Sequence, residues 1–318
     1  MDTFVIMRAI HFASTATVAG TIFFLSFVAA PALHPVLTDP RATILSKRLR
    51  VLLWVALAVS ALSGFMWLLL LSARIAGQSV TEAIADGVVW TVLTETRFGT
   101  DWGARVCLVF VLTGALYLRS FRTQSGLMWD GWGLPLLAAC FIGSLAWSGH
   151  AGASPGIKGD IHLASDVFHL IAVAAWVGAL PALTMLLSST LEPDNGAWTD
   201  VAFIGALRFS SIGILSVCTL MATGVVNTWN LAGSVSALAE TEYGELLLLK
   251  VVLFVVLVGI AAVNRLRLLP RLAGTRTTRQ LRRNVVLEIA LATVIIFIVG
   301  ALGTMPPGGH LQSEPHIH

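Results

Sequence analysis

Three side chains near the middle of the chain, His162, Asp166 and His169, are spaced i, i+4 and i+7. At 3.6 residues per turn they fall on one face of a helix, which Trp176 continues. Two imidazoles and a carboxylate on one stripe form a metal-ligand set, in which Asp166 either ligates or accepts a proton from a neighbouring ring and orients it. The same groups can also make a buried His–Asp hydrogen bond that only joins helices. Near the N-terminus Met7 and His11 are i, i+4. A thioether with an imidazole suits copper, whereas imidazole alone also suits zinc, nickel or iron. His150, in SGHAG, stands just ahead of the 162–169 stripe. The candidate metal ligands are Met7, His11, His150, His162, Asp166 and His169. The tail GTMPPGGHLQSEPHIH adds His310, His316 and His318. A short His-rich tract pays ordering entropy, so a loose capture role suits it better than a tight site.

The elements that position these residues are membrane spans. Of 318 residues, 56% are hydrophobic and 12% charged, with a mean hydropathy of +0.84. Soluble domains carry roughly 25% charged residues. A span needs about 20 apolar residues, and eight such segments occur, near 4–30, 48–74, 100–119, 132–149, 162–187, 203–227, 245–264 and 285–304. The first is too long for a signal-peptide core and contains Arg8 and His11, so it reads as a retained helix. The stretch 79–93 is either an interfacial helix or a loop. The expectation is an all-α membrane bundle over residues 1–304, followed by a tail over 305–318.

Cations at span ends set orientation. Arg265, Arg267, Arg271, Arg276, Arg279, Arg282 and Arg283 lie between the last two spans. Arg41, Lys47, Arg48 and Arg50 follow the first span, and Arg119 and Arg122 follow the third. With eight spans these groups share one side, the cytoplasm, and both termini are periplasmic. Seven of the eight histidines then belong to the outer half, and only His34 lies at an inner end. His34 and Met185 are the only candidate ligands of the inner half.

The chain also repeats itself. ETRFGTDWGAR (95–105) matches ETEYGELLLLK (240–250). His11 precedes Gly20 by nine residues, as His169 precedes Gly178. Ser63-Gly64 pairs with Thr223-Gly224, and Gly149-His150 with Gly309-His310. The halves, about 1–150 and 160–304, then hold four spans each. An even number makes the copies parallel, related by a pseudo-twofold axis along the membrane normal. His11 and His169 become equivalent residues at one depth, and the imidazoles are expected to converge on a shared ion.

Other polar groups have simpler expectations. Asp101 and Arg105 are i, i+4 and are expected to pair. Lys250 should snorkel or meet a carboxylate. Asn227 and Asn264 should join helices, and Glu288 should pair with the arginine-rich loop. Cys107, Cys140 and Cys218 have no CxxC spacing and read as small buried hydrophobes. No Gly-rich phosphate loop, nucleophile motif or HExxH occurs. The arginine loop beside a span reads as a topology signal rather than a nucleic-acid site, so the chain is expected to be neither an enzyme nor a nucleic-acid binder.

RAIHFASTATVAG, SGHAG, DVFHLIAVAAWVGAL and YGELLLLKVVLFVVLVGIAAVNRLRLLPRL together resemble the CopD/PcoD copper resistance family over most of the chain. The resemblance implies a bacterial inner-membrane protein of eight helices. It also implies inward movement of copper, as Cu(I) or Cu(II), with a periplasmic copper protein of the CopC type as partner. His11, His150, Asp166 and His169 match the family's polar positions. Import across the bilayer and delivery outside the cytoplasm are both compatible with this. A second class of function stays open, a b-type haem protein for electron transfer or metal reduction with His11 and His169 as axial ligands.

Overall fold

The computed structural model describes residues 2–122, 131–149, 156–191, 196–232, 241–272 and 274–305. Among them there are helices and turns and no strand. The helices are α1 (Thr3–Val36), α2 (Pro40–Ala76), α3 (Val80–Ala85), α4 (Val88–Glu95), α5 (Arg97–Arg122), α6 (Gly133–Ser148), α7 (Gly156–Ser189), α8 (Ala197–Ala232), α9 (Glu242–Arg271) and α10 (Thr275–Leu302). Seven are long and apolar enough to cross a membrane, and the apolar α6 is shorter. Each segment expected to span has a helix, so the chain is an all-helical membrane protein. Residues 79–93 are two short helices.

Local chemistry sets the helix ends. Asp2 caps α1, and Asp39 caps α2, where Pro40 already has a helical φ and needs no hydrogen-bond partner. Gly77 ends α2 at φ 66°, a left-handed conformation that favours glycine. Ser79 and Glu82 form a capping box on α3. The two copies of the Glu-Thr-x-aromatic-Gly motif start α5 and α9 in the same way. The Thr96 hydroxyl accepts from Gly99 N at 3.1 Å, and the Thr241 hydroxyl accepts from Gly244 N at 3.0 Å.

Three long helices are interrupted near prolines. In α1 a π turn at Leu25–Ala29 precedes Pro31, in α9 a π turn at Asn264–Leu268 precedes Pro270, and in α7 a 3-10 turn at Val177–Ala179 precedes Pro181. Proline lacks the N–H that would bond the carbonyl four residues back, so the ladder must open there. The carbonyl left by Pro31, that of Phe27, accepts instead from Arg208 Nη1 at 3.3 Å.

The core is built around α1, which packs on α2, α6, α7 and α10. Of its most apolar window 72% is buried, against 11% for α9, which therefore lies at the periphery. α1 and α7 cross at glycine. A Cβ at Gly20 would overlap the backbone of Ala174 and Gly178, and one at Gly178 would overlap that of Ala16. Glycine at both positions thus lets the backbones of α1 and α7 come into contact. α2 packs on α1 and α8 on α7. At one end of the bundle Arg8 Nη1 donates to the carbonyl of Gly303, so the start of α1 meets the end of α10.

The outer surfaces of the helices are apolar, with Leu62, Phe110, Leu215 and Val255 well exposed. Exposed aliphatic faces on spanning helices face lipid. The three cysteines lie on such faces rather than in the core expected for them.

Candidate metal centre

His169, on α7, is ordered by α8. Its Nδ1 lies 2.9 Å from Thr223 Oγ1, and the Thr223 hydroxyl gives its own hydrogen to the Thr219 carbonyl at 2.7 Å. The hydroxyl therefore accepts, Nδ1 carries the proton, and Nε2 keeps its lone pair. No hydrogen-bond partner meets that nitrogen among the described residues. One turn earlier Asp166 accepts from Asn227 Nδ2 at 2.9 Å. The other amide atom, Asn227 Oδ1, is buried without a partner. His162, itself buried, is close enough to Asp166 for their charges to act on each other. Lys250 from α9 and Arg8 from α1 also lie within electrostatic reach of the carboxylate, and Lys250 within reach of His169. Lys250 thus stands near a carboxylate, one of the two placements expected for it.

His11, on α1, sits in the corresponding place beside α2. Its Nδ1 is 2.9 Å from the Ser60 carbonyl and 3.3 Å from Ser63 Oγ. A carbonyl only accepts, so Nδ1 carries the proton and Nε2 the lone pair. Here the lone pair is used, because Arg105 Nη2 donates to it at 2.9 Å. Gly64 makes room for the ring, since a Cβ there would lie 2.9 Å from His11 Cε1. Trp67 flanks the ring with centroids 5.6 Å apart.

Arg105 was expected to pair with Asp101, and it does not. Its Nη1 donates to Ser144 Oγ at 2.7 Å and to the Phe141 carbonyl at 3.4 Å. The physical reason is α6, which tightens to a 3-10 turn at Ser144–Ser148 and leaves end carbonyls open to a cation. Asp101 is instead near Arg97. Glu288 likewise meets no arginine of the loop among the described residues. It accepts from Asn264 Nδ2 at 2.6 Å and from the Trp176 indole, while Asn284 Nδ2 donates to Asn264 Oδ1 at 2.7 Å. The π turn at Asn264 swings this amide into the bundle, where it competes for the carboxylate.

Among the described residues no three His, Cys, Asp or Glu side chains are gathered to hold a metal ion. His150, His310, His316 and His318 lie outside the described residues. Met7 is half-buried on α1, and His34 is exposed. His11 addresses α2 and α5 while His169 addresses α8, so the two rings are not poised as one axial pair and the haem alternative has no support. The α7 face fits a metal better than the α1 face, because it alone offers an unused imidazole lone pair together with a carboxylate and an unpartnered amide oxygen. Sequence spacing singled out every residue of the α7 stripe. It missed the roles of Arg105, Arg8 and Lys250 as the charges around the histidines. The one signal for two of them was the alignment of Arg105 with Lys250 in the repeated motif.

Comparison with known proteins extends this picture. Residues 1–160 match the family model described as copper resistance protein D-like, N-terminal domain, and residues 206–302 match copper resistance protein D. Inner membrane protein YebZ of Escherichia coli (strain K12) is 29% identical over 308 residues, covering 96% of this chain and 98% of the relative. Copper resistance protein D of Pseudomonas syringae pv. tomato is 30% identical over 228 residues, covering 68% and 71%. Copper transport protein CutJ of Bacillus subtilis (strain 168) is 28% identical over 315 residues, covering 97% of this chain and 53% of the relative. No solved structure matches. Two family models that together take in most of α1–α10, and a copper resistance protein D related over two thirds of both chains, show that this chain belongs to the copper resistance protein D family.

Proposed function

We propose that the chain binds copper from the periplasm at the His169–Asp166–His162 face of α7 and passes it inward at the bacterial inner membrane. The observation that carries this reading is the His169 ring. Thr223 holds its proton on Nδ1, which leaves Nε2 as a ready ligand one turn from a carboxylate. Asp166 also offsets the positive charge of Lys250 and Arg8, which a copper ion would otherwise meet unscreened. His150 is a third imidazole from the chain just ahead of α7. The tail residues His310, His316 and His318 collect copper loosely, and a CopC-like protein supplies it. Membership in a copper resistance family supports copper as the cargo.

The topology proposed with it has eight spans, α6 included, and periplasmic termini. α1, α2, α5 and α6 are repeated as α7, α8, α9 and α10 about an axis along the membrane normal. The matched caps at Thr96 and Thr241, the reciprocal Gly20–Gly178 crossing and the hydroxyls on His11 and His169 support the repeat. Purified full-length protein, dialysed against copper and then against buffer, tests the function. Near-stoichiometric retained copper with no Soret absorption is expected. A Soret band, or no retained copper, contradicts the reading.

A further inference from the structure

The two histidines in equivalent places differ in one respect that bears on copper. Both carry the proton on Nδ1, fixed by α2 or α8, and both face a cation at the same position of the repeated motif. At His169 the cation is Lys250, a point charge on a flexible stem. At His11 it is Arg105, whose planar fork is held from behind by Ser144 Oγ and the Phe141 carbonyl. The guanidinium carbon also lies 5.4 Å from the centre of the Phe141 ring. Arg105 is buried, and no carboxylate pairs with it among the described residues. Its charge is therefore directed at the imidazole, and an arginine stays protonated at any physiological pH.

We propose that Arg105 is a built-in occupant of a second copper site: it fills the His11 lone pair in the resting protein, and His11 with Met7 becomes a copper ligand pair only when the guanidinium withdraws. Met7 stands one turn from His11 on α1, so the pair exposed by withdrawal joins an imidazole to a thioether, a set suited to Cu(I). The two halves then differ in role. The α7 half is open to copper, and the α1 half is closed by a side chain of the protein itself. This inference rests on copper as the cargo, but the occupancy of His11 Nε2 does not.

Two readouts separate these. In full-length protein labelled with ¹⁵N at histidine and kept free of copper, the His11 resonance identifies the proton-bearing nitrogen. The signal is assigned by its loss in His11→Gln. An Nδ1–H ring with a hydrogen-bonded Nε2 is expected in the wild type, with a shift of the Nε2 signal in Arg105→Ala. An Nε2–H ring in the wild type, or no shift in Arg105→Ala, overturns the occupancy. Retained copper per chain should rise in Arg105→Ala and return to the wild-type value in Arg105→Ala/His11→Ala. Arg105→Leu, which fills more of the space, should give the same rise if the alanine variant does not fold. Wild-type copper that is unchanged in both Arg105 variants overturns the gating role while leaving the α7 site intact. No copper in wild type or variants overturns the copper reading, and the gating role with it, and leaves the ¹⁵N result standing.

Discussion

Asp39 joins α2 to α8 through one carboxylate. It caps α2, pairs with Arg41 at 3.2 Å and accepts from Trp198 Nε1, at the start of α8, at 2.7 Å. Arg41 lies 4.7 Å from the Trp198 ring centre. The Trp198 hydrogen bond, then the Arg41 backbone and side chain, hold this carboxyl below its ordinary value of 3.8. A carboxyl whose value is lowered by folding stabilises the fold above its unfolded value, and that contribution fades as pH falls through the folded value. Acidification from about pH 5 to pH 3 should therefore loosen the α2–α8 junction. Asp39→Asn should lower the thermal midpoint at neutral pH and flatten its dependence on pH over that interval. At this scale the α7 stripe was legible, because i, i+4, i+7 spacing fixes a helical face whatever surrounds it. The partner of Arg105 was not. Spacing within α5 favoured Asp101, and only the approach of the α6 carbonyls, a tertiary fact, diverts the guanidinium to His11.

At the level of elements, the α1–α7 crossing sets where both histidines stand. Each lies nine residues, about 14 Å along its helix, from the glycine at the contact. Gly178→Val would drive a branched side chain into the Ala16 backbone. Overpacking of this kind costs about 1–3 kcal/mol or more, so a clear fall in thermal midpoint is expected by fluorescence-detected size exclusion. Gly114→Ala, where an added Cβ meets open space within a helix, should leave the midpoint unchanged or raise it. Apolar run length disclosed each helix, whereas the glycines were read only as a repeat and their contact was not foreseen. The π turns at Leu25–Ala29 and Asn264–Leu268 were not read from the sequence. Proline accounts for an interruption there, but the wider turn depends on what packs beside it. At Asn264 that neighbour is Glu288, and the resulting hydrogen bond draws Glu288 away from the arginine loop.

The whole molecule turns its aliphatic surface to lipid, and the cysteines go with it. A charged, impermeant reagent does not enter hydrocarbon. The native Cys107, Cys140 and Cys218 should therefore be silent to impermeant thiol reagents, which makes the wild-type chain a usable background. A cysteine introduced at Arg279 should resist such a reagent in intact cells and react after the membrane is opened. Labelling in intact cells would reverse the proposed orientation. Composition forecast the membrane class, since it depends on sums over many residues. The convergence of imidazoles depends on single side-chain directions, and there the described residues keep His11 and His169 on different neighbours. Copper handling by this chain, as proposed, depends on copper bound through His169. The most direct test is retained copper in purified full-length His169→Ala beside wild type under the same dialysis. A sharp loss of copper with an unchanged size-exclusion profile is predicted, and wild-type copper in a folded His169→Ala protein would contradict it.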